Sequence, residues 1–370
     1  MNGRMHLAVE LGGAGRHPGA WRLPGAGDLF AADRHVEAVR TAARGGLDLV
    51  ALADTLLPPS ADPDAEPGTL DAVAVAARVA PAVPGIGVVP AVTVTHTEPF
   101  HLSKAIATLD FVSTGRAGWQ PGVSRTRAEA DLFGRTGPAP ADALWREAAD
   151  VVEVVARLWD SWEDDAEIRD AATGRFVDRE KLHYIDFAGE FFSVKGPSIT
   201  PRPPQGQPLT VLRGDETEAL PVVGRYADVV RVAADTVAGA AEARERVRSA
   251  VAGAGRDPDR VPVLLDVETL FDPSLLGELD RLAPAGVDPG PATLRHVGDP
   301  AALAGLLRDA AEEAAADGFT LVPLALPSGV VEIVDGLLPA FGDAWASAPY
   351  DGSLRDRFGL TRPAGRYARS

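Results

Sequence analysis

The sequence contains no cysteine among its 370 residues. A chain without thiols has no disulfide bond, no thiolate metal ligand and no cysteine nucleophile. It also lacks any run of eighteen apolar residues, so we expect no membrane-spanning helix. Its first residues do not combine a basic segment with an apolar run, so we expect no signal peptide. These absences together favour a cytoplasmic protein.

Histidine is also scarce, and its placement argues against a metal centre. The seven histidines are scattered. They form no His-x-x-x-His or His-x-Glu pair, which is the spacing that metal ligands on one element require. The glycine-rich stretch Leu11–Gly19 has the wrong spacing for a dinucleotide-binding loop and precedes no helix.

Positive charge is in deficit, with 36 Lys and Arg against 53 Asp and Glu, a formal net charge of −17. A negative field repels nucleic acid and anionic membranes, so we expect neither as a partner. Solubility is a sufficient explanation of this charge. A cationic substrate is the alternative.

Short apolar runs alternate with amphipathic segments along the whole chain. The predicted strands are Met5–Leu11, Leu47–Ala53, Ile86–Thr95, Gly115–Gly122, Leu209–Leu212, Asp228–Val232, Val261–Val267 and Phe319–Leu324. The predicted helices are Arg34–Arg44, Leu70–Val79, Pro99–Asp110, Asp142–Trp159, Thr217–Tyr226, Thr236–Val251, Pro300–Ala315 and Val330–Phe341. Strands that alternate with helices indicate a parallel sheet. Eight such units favour a closed (β/α)8 TIM barrel over a doubly wound sheet.

Two regions interrupt this alternation, at about 124–207 and 268–298. Neither has the length and apolar content of an independent domain. We therefore expect one domain over 1–370, with both regions inserted at the rim formed by the carboxyl ends of the strands. Active sites of such barrels are built at that rim.

Several segments, spread over the chain in the same order, resemble one enzyme family. They are HPGAWR (17–22), LDLVALAD (47–54), TVTHTEPFHLSKAIATLDFVSTGRAGWQ (93–120), LWDSWEDDA (158–166), HYIDFAGEFFSVKGPSITPRPPQGQP (183–208) and SLRDRFGL (353–360). Together they resemble the flavin-dependent monooxygenases of the bacterial-luciferase superfamily. The branch is that of the nitrilotriacetate, EDTA, dibenzothiophene-sulfone and pristinamycin monooxygenases, whose fold is an insertion-bearing TIM barrel.

The resemblance implies a two-component system. A separate reductase supplies reduced FMN, and the monooxygenase adds O₂ to give a flavin C4a-hydroperoxide that oxygenates a small organic substrate. The protein holds the flavin and excludes water. The resemblance also implies a homodimer or homotetramer.

The same resemblance assigns candidate flavin contacts at three strand ends. Asp54 ends the second strand, where its carboxylate either bonds the flavin ring or caps the turn and helix that follow. Thr93 and Thr95 point to one face of the third strand, and Thr95 is the favoured contact. Gln120 stands where the family has Asn, so its amide reaches one methylene further. His17, in the loop after the first strand, either lines the substrate cavity as a catalytic proton carrier or is a structural loop histidine.

Two sets of positions depart from the family. A His and a Tyr that contact flavin correspond to about Ala141 and Trp145, and an indole cannot accept a hydrogen bond. The family's phosphate loop corresponds to Arg213, Gly214, Asp215 and Glu216, with carboxylates in place of serines. We expect these carboxylates to cap the following helix themselves and to repel a phosphate, at about 1 kcal/mol in water for charges about 4 Å apart. Arg213 offsets this repulsion if it turns inward.

Three hypotheses follow. The chain is a working FMNH₂-dependent monooxygenase, a non-catalytic or flavin-impaired paralogue such as a partner subunit, or a deazaflavin-dependent relative. The substrate is left open, and we expect the loops within 124–207 and 268–298 to determine it.

Overall fold

The computed structural model describes residues 5–58, 60–287, 290–342, 345 and 351–368. Within these ranges eight parallel strands follow one another around a closed barrel, and the eighth pairs with the first. They are β1 (His6–Leu11), β2 (Leu49–Leu52), β3 (Gly87–Thr93), β4 (Gly118–Gly122), β5 (Leu209–Arg213), β6 (Val229–Val232), β7 (Val263–Leu270) and β8 (Gly318–Pro323). The predicted (β/α)8 barrel is therefore confirmed.

Helices connect the strands and cover the outside of the barrel. They are α1 (Ala32–Arg44), α2 (Ala72–Val79), α3 (Pro99–Val112), α4 (Arg127–Leu132), α5 (Ala141–Asp160), α6 (Leu220–Tyr226), α7 (Val237–Gly253), α8 (Pro273–Leu282), α9 (Pro300–Glu312), α10 (Ser328–Glu332), α11 (Leu338–Ala340) and α12 (Leu354–Arg357). A π-helical turn, Ile333–Leu337, joins α10 to α11. None of the described helices has the length and apolar character needed to cross a membrane.

Alternation along the strands divides the core into two layers. Leu7 and Val9 of β1 face outward into the layer between strands and helices. Ala8 faces inward, where it meets side chains such as Leu49 and Leu209 from other strands. Successive side chains of a strand point to opposite faces. Because both faces of these strands are buried, each strand is a nearly continuous apolar run.

The C-terminal segment closes the amino end of the barrel. Leu354 and Phe358 belong to the inner apolar cluster. The Leu354 N–H donates to Gly115 O over 2.8 Å, and Arg357 Nε donates to Asp48 Oδ1 over 2.5 Å. Gly115 and Asp48 both precede strands, so the segment SLRDRFGL packs at the amino end of the barrel and leaves the carboxyl end open.

The region between β4 and β5 differs from its predicted place at the rim. After α5 the chain forms two hairpins, Glu167–Asp170 with Arg175–Val177 and Phe187–Ala188 with Ser193–Val194. This part packs on the C-terminal segment, since Arg202 Nη2 donates to Pro363 O over 2.8 Å. For 202–207 the structure thus differs from the predicted rim placement, whereas the hairpin at 187–194 turns back along α5, where Arg146 Nε donates to Glu190 Oε2 over 3.1 Å. The 20-residue helix α5 runs back along the barrel by about 30 Å and delivers the chain to the amino end.

The second predicted insertion begins too early. Residues 268–270 continue β7, which pairs there with an additional parallel strand, Leu294–Val297. Glu268 made this end of the strand look like a loop, but its carboxylate is buried and accepts a hydrogen bond from Arg295 Nε over 2.6 Å.

Candidate active site

A cavity of about 660 Å³ opens at the carboxyl ends of β1, β2 and β8. Its walls come from the loops after β1 and β2, from the end of β8, and from Leu132 and Phe133 at the end of α4. This volume lies in the range of small-molecule sites. We call it the mouth cavity.

A second cavity of about 180 Å³ lies within the barrel opening. It shares Glu10, Ala53 and Asp54 with the mouth cavity and reaches Gln120 and Arg231. We call it the lumen cavity. These three shared residues make the barrel opening one continuous candidate site.

Arg231 of β6 organises the polar side chains inside the barrel. Its guanidinium is buried and bonds Asp266 of β7 at 2.9 Å, Glu10 of β1 at 2.6 Å and Gln120 of β4 at 3.1 Å. Burial acts to lower the pKa of Arg231, but the Asp266 and Glu10 carboxylates outweigh it and raise the pKa. Burial likewise acts to raise the pKa of Asp266, and Arg231 and Arg213 bring it below its usual value. Both groups are therefore charged at neutral pH.

Asp54 lies in the wall of both cavities and is also a cap. Its two oxygens accept hydrogen bonds from the backbone N–H groups of Thr55, at 2.7 Å, and Ala72, at 2.9 Å. Ala72 is the first residue of α2. Burial raises the pKa of Asp54 in spite of these bonds. Asp54 therefore acts as a cap, which was the alternative interpretation, and it also lines both cavities.

The other predicted contacts with the flavin ring are Gln120, Thr93 and Thr95. Gln120 lies in the lumen cavity, where its amide oxygen accepts from Arg231. Thr93 ends β3, and Thr95 Oγ1 accepts the Ser124 N–H at 3.0 Å. Neither threonine lines either cavity. Their contact with flavin stays a prediction.

His17 is buried away from the lining of both cavities. Its Nδ1 accepts the Gly19 N–H at 3.1 Å, and its Nε2 lies 3.1 Å from Asp280 Oδ1. In the neutral ring the proton is therefore on Nε2. Burial lowers the pKa of His17, although Asp280 acts to raise it. The geometry favours the structural alternative over the predicted catalytic role.

Trp145 and Glu216 bond each other. The Trp145 indole, buried on α5, donates to Glu216 Oε2 over 2.8 Å. Glu216 also forms an ion pair with Arg125, from the loop that follows β4. Both residues lie outside the lining of the two cavities. The Glu216 carboxylate is thus already bonded to two donors, the Trp145 indole and the Arg125 guanidinium.

The neighbouring carboxylate does not cap the helix, so the expectation that both carboxylates would do so was wrong. Asp215 Oδ1 accepts the Ala233 N–H at 2.6 Å, and its Oδ2 accepts from Arg213 Nε at 2.7 Å. Glu216 precedes the helical turn Thr217–Ala219 without a capping bond.

Arg213 turns toward Asp266, at 2.8 Å, and is thereby neutralised. Gly214 packs where a Cβ atom would lie 2.8 Å from Val247 Cγ2.

Sequence reasoning missed the charged residues of the barrel interior and the loop after β2. Glu10, Arg231 and Asp266 each interrupt an apolar strand, which is the signal that was available, since a charge within such a run needs a buried partner. The loop at 53–69 supplies most of the mouth cavity, together with 12–16. From the two regions expected to dominate it come Leu132 and Phe133 alone among the described lining residues.

The described residues include no group of three or more His, Asp or Glu side chains arranged to hold a metal ion.

Comparison with known proteins places this site in a family context. A family profile described as luciferase-like monooxygenase matches residues 7–275. N-acetyl-S-(2-succino)cysteine monooxygenase of Bacillus subtilis (strain 168) is 30% identical over 99% of both chains. Nitrilotriacetate monooxygenase component A of Aminobacter aminovorans is 31% identical over 98% of both. The structure of EDTA monooxygenase from Chelativorans sp. BNC1 superposes with a TM-score of 0.86 and 23% identity, covering 97% of this chain and 99% of that one.

Proposed function

Because this chain belongs to the luciferase-like monooxygenase family, we propose that it uses reduced FMN and O₂ to oxygenate a small organic substrate at the barrel mouth. Membership of this family makes the chain an oxidoreductase of the flavin-dependent monooxygenase class. The reduced flavin comes from a separate reductase, a proposal supported by the word "component" in the name of the nitrilotriacetate relative. We assign the reaction to the barrel mouth because two cavities there share Glu10, Ala53 and Asp54.

The residues at the opening suit the flavin ring. The lumen cavity offers the Gln120 amide beside the charged Arg231, and the alanines Ala51, Ala53 and Ala91 leave room for a flat ring to lie close to the strand ends. Flavin supplies the oxygen-activating chemistry when it is bound. The chain's own contribution is to orient the ring, to keep Arg231 charged beside it and to exclude water.

The residues at 213–216 do not suit the phosphate. Asp215 and Glu216 bring two negative charges, and they occupy the Ala233 N–H, Trp145 and Arg125 as hydrogen-bond or ion-pair donors. We therefore propose that FMN is bound weakly, as a co-substrate that arrives from solution. This loop is also the observation that favours a flavin-impaired paralogue as the second candidate.

Anaerobic titration with reduced FMN separates these candidates, followed by admission of O₂ while the flavin spectrum is recorded. We expect saturable binding and a spectral change that free flavin does not show. Absence of binding at millimolar reduced FMN would overturn the first candidate. Binding of a reduced deazaflavin in its place would favour the third hypothesis.

The phosphate end has its own test. The variant Asp215→Ser/Glu216→Ser should tighten reduced FMN more than reduced riboflavin, because riboflavin has no phosphate to repel. Equal tightening of both flavins would mean that the phosphate lies elsewhere.

The substrate is not transferred from the relatives. Nitrilotriacetate, EDTA and N-acetyl-S-(2-succino)cysteine, named in those three proteins, all carry several carboxylates. The mouth cavity of this chain has carboxylates of its own. We also propose a homo-oligomer, which light scattering would test.

A further inference from the structure

One wall of the mouth cavity is apolar. It includes Leu56, Leu57, Leu132, Phe133, Val322 and Leu326. At the rim, Leu57 is 51% exposed and Leu132 is 60% exposed. Exposed apolar side chains that continue into a cavity favour a ligand with a sizeable apolar surface.

A second part of the lining is negatively charged. It contains three carboxylates, Glu10, Asp54 and Glu66, and one guanidinium, Arg16, which gives the described lining a formal charge of −2. Arg16 Nε lies 3.4 Å from the buried carboxylate of Glu268, which also pairs with Arg295. Glu10 has its counter-ion in Arg231. The remaining lining carboxylates are Asp54 and Glu66.

Neither of these two carboxylates has an ion-pair partner within the part of the chain that the structure describes. Asp54 is satisfied by backbone N–H groups alone. Glu66 accepts a backbone hydrogen bond from Ala14, but its Oε1 atom is buried with no hydrogen-bond partner. The cation whose field acts on it, Arg34, donates to the backbone carbonyls of Ala26 and Gly13 instead.

Burial at this wall favours a cationic ligand. Loss of water raises the pKa of Asp54 and of Glu66, because each ionised carboxylate is desolvated without a counter-ion. A buried acceptor without a partner is itself unfavourable. A ligand that brings a positively charged hydrogen-bond donor relieves both costs, whereas an anionic ligand increases them.

We infer that the mouth cavity selects a protonated organic amine with an apolar chain or ring, its ammonium group against Glu66 and Asp54 and its apolar part against Leu56, Leu132 and Phe133. Calling this ligand the substrate rests on the proposed function, but the binding preference does not require flavin. The same charges disfavour polycarboxylates.

Isothermal titration calorimetry of the full chain without flavin tests this with three matched probes: octylammonium, octanol and octanoate. We expect octylammonium to bind more tightly than octanol by on the order of tenfold, and octanoate to bind most weakly. The preference for octylammonium should weaken as salt is added. Octanoate binding as tightly as octylammonium would overturn the inference.

Variants locate the preference. Glu66→Gln should abolish most of the advantage of octylammonium and leave octanol unchanged. Glu37→Gln, on the exposed side of α1 and outside the cavity, is the matched control and should change nothing. Thr69→Lys adds a cation at an exposed lining position and should weaken octylammonium and tighten octanoate, which keeps the test valid if Glu66→Gln does not fold. Unchanged affinities for octylammonium and octanoate in both variants would refute the site.

Reduced FMN is titrated into the same preparations. Flavin binding without an ammonium preference sinks the amine inference alone. An ammonium preference without flavin binding sinks the proposed function and leaves the cavity's selectivity in place.

Discussion

The indole N–H of Trp145 donates to the carboxylate of Glu216 over 2.8 Å, between residues 71 positions apart in the chain. Each of these residues departs from the family that the sequence resembles, one on α5 and the other after β5. Their contact makes the two departures a single unit, with Arg125 as its third member. Restoring one position alone would leave the other without its partner.

A double-mutant cycle tests this unit. We expect Trp145→Tyr/Glu216→Ser to tighten reduced FMN by more than the two single changes combined, because Glu216→Ser alone leaves the buried Trp145 N–H without its acceptor and Trp145→Tyr alone leaves the Glu216 charge in place. Coupling between residues in contact is about 0.5–3 kcal/mol. The measurement is the anaerobic dissociation constant of reduced FMN for all four proteins.

Glu218→Ser is the matched control for this cycle, since it removes the same charge from an exposed residue two positions along. It should leave the affinity nearly unchanged. Strictly additive single changes would show that Trp145 and Glu216 act independently on flavin.

Arg231 should be one of the strongest determinants of stability. Arg231→Met leaves Glu10 without its cation and Asp266 with Arg213 alone inside the barrel, and breaking a buried ion pair in this way costs about 3–5 kcal/mol. Urea unfolding at neutral pH measures the loss. Arg248→Met, which breaks the surface pair with Asp259, should cost about 0–1 kcal/mol. Similar losses in the two variants would contradict the network.

The same variant should change the acid limb of the stability curve. The folded pKa of Asp266 lies below its usual value of 3.8, so its contribution is present above that pH and is lost as the pH falls through the folded value. In Arg231→Met, Arg213 alone is left to stabilise the ionised Asp266, so this contribution is smaller. The free energies of unfolding of the two proteins should therefore converge as the pH falls below 3.8.

The barrel could be predicted from sequence because its information is local. Each strand is a short apolar run, and several helices have a start signal such as the Asp71 cap of α2 or the proline in the first turn of α9. The end of β7 was missed because Glu268 is charged, and its burial depends on Arg295, which lies 27 residues further on. Pattern alone does not reveal such a partner.

The site was predictable in position and much less so in its contacts. Asp54 and Gln120 lie at the barrel opening because they are near the carboxyl ends of β2 and β4, where the active sites of such barrels are built. His17, Trp145 and Glu216 bond residues that are distant in the chain. The sequence alone does not show which residues these are. The loop after β2 carried a usable signal, since a long Pro- and Asp-rich stretch follows a strand end there.

Gly214 should resist substitution for a steric reason. In Gly214→Ala the new methyl would lie 2.8 Å from Val247 Cγ2 and 2.9 Å from Val230 Cγ1, closer than Cβ contacts allow. Overpacking of this kind costs about 1–3 kcal/mol. Thermal unfolding measures it. Gly253→Ala, at the end of α7 where a Cβ meets nothing within 4 Å, is the control and should not be destabilised. If Gly214→Ala unfolds at the wild-type temperature, the packing argument fails.

His17 should contribute to stability in a pH-dependent way and should not affect flavin binding. Its folded pKa lies below 6.5, so the fold binds the neutral ring in preference to the charged one. That contribution is fully present above pH 6.5 and is lost as the pH falls from there toward the folded pKa. His17→Asn keeps an acceptor for the Gly19 N–H but cannot titrate. The variant should therefore lose about 1–3 kcal/mol at neutral pH, and its difference from the wild type should shrink below pH 6.5.

Urea unfolding across this pH range, with reduced-FMN affinity measured on the same samples, distinguishes a structural from a catalytic histidine. His101→Asn, at an exposed position of α3, controls for the loss of a surface histidine and should leave both quantities unchanged. A His17→Asn protein with wild-type stability at neutral pH, but with a lost pH dependence of turnover once a substrate is in hand, would return His17 to the catalytic role that its position after β1 first suggested.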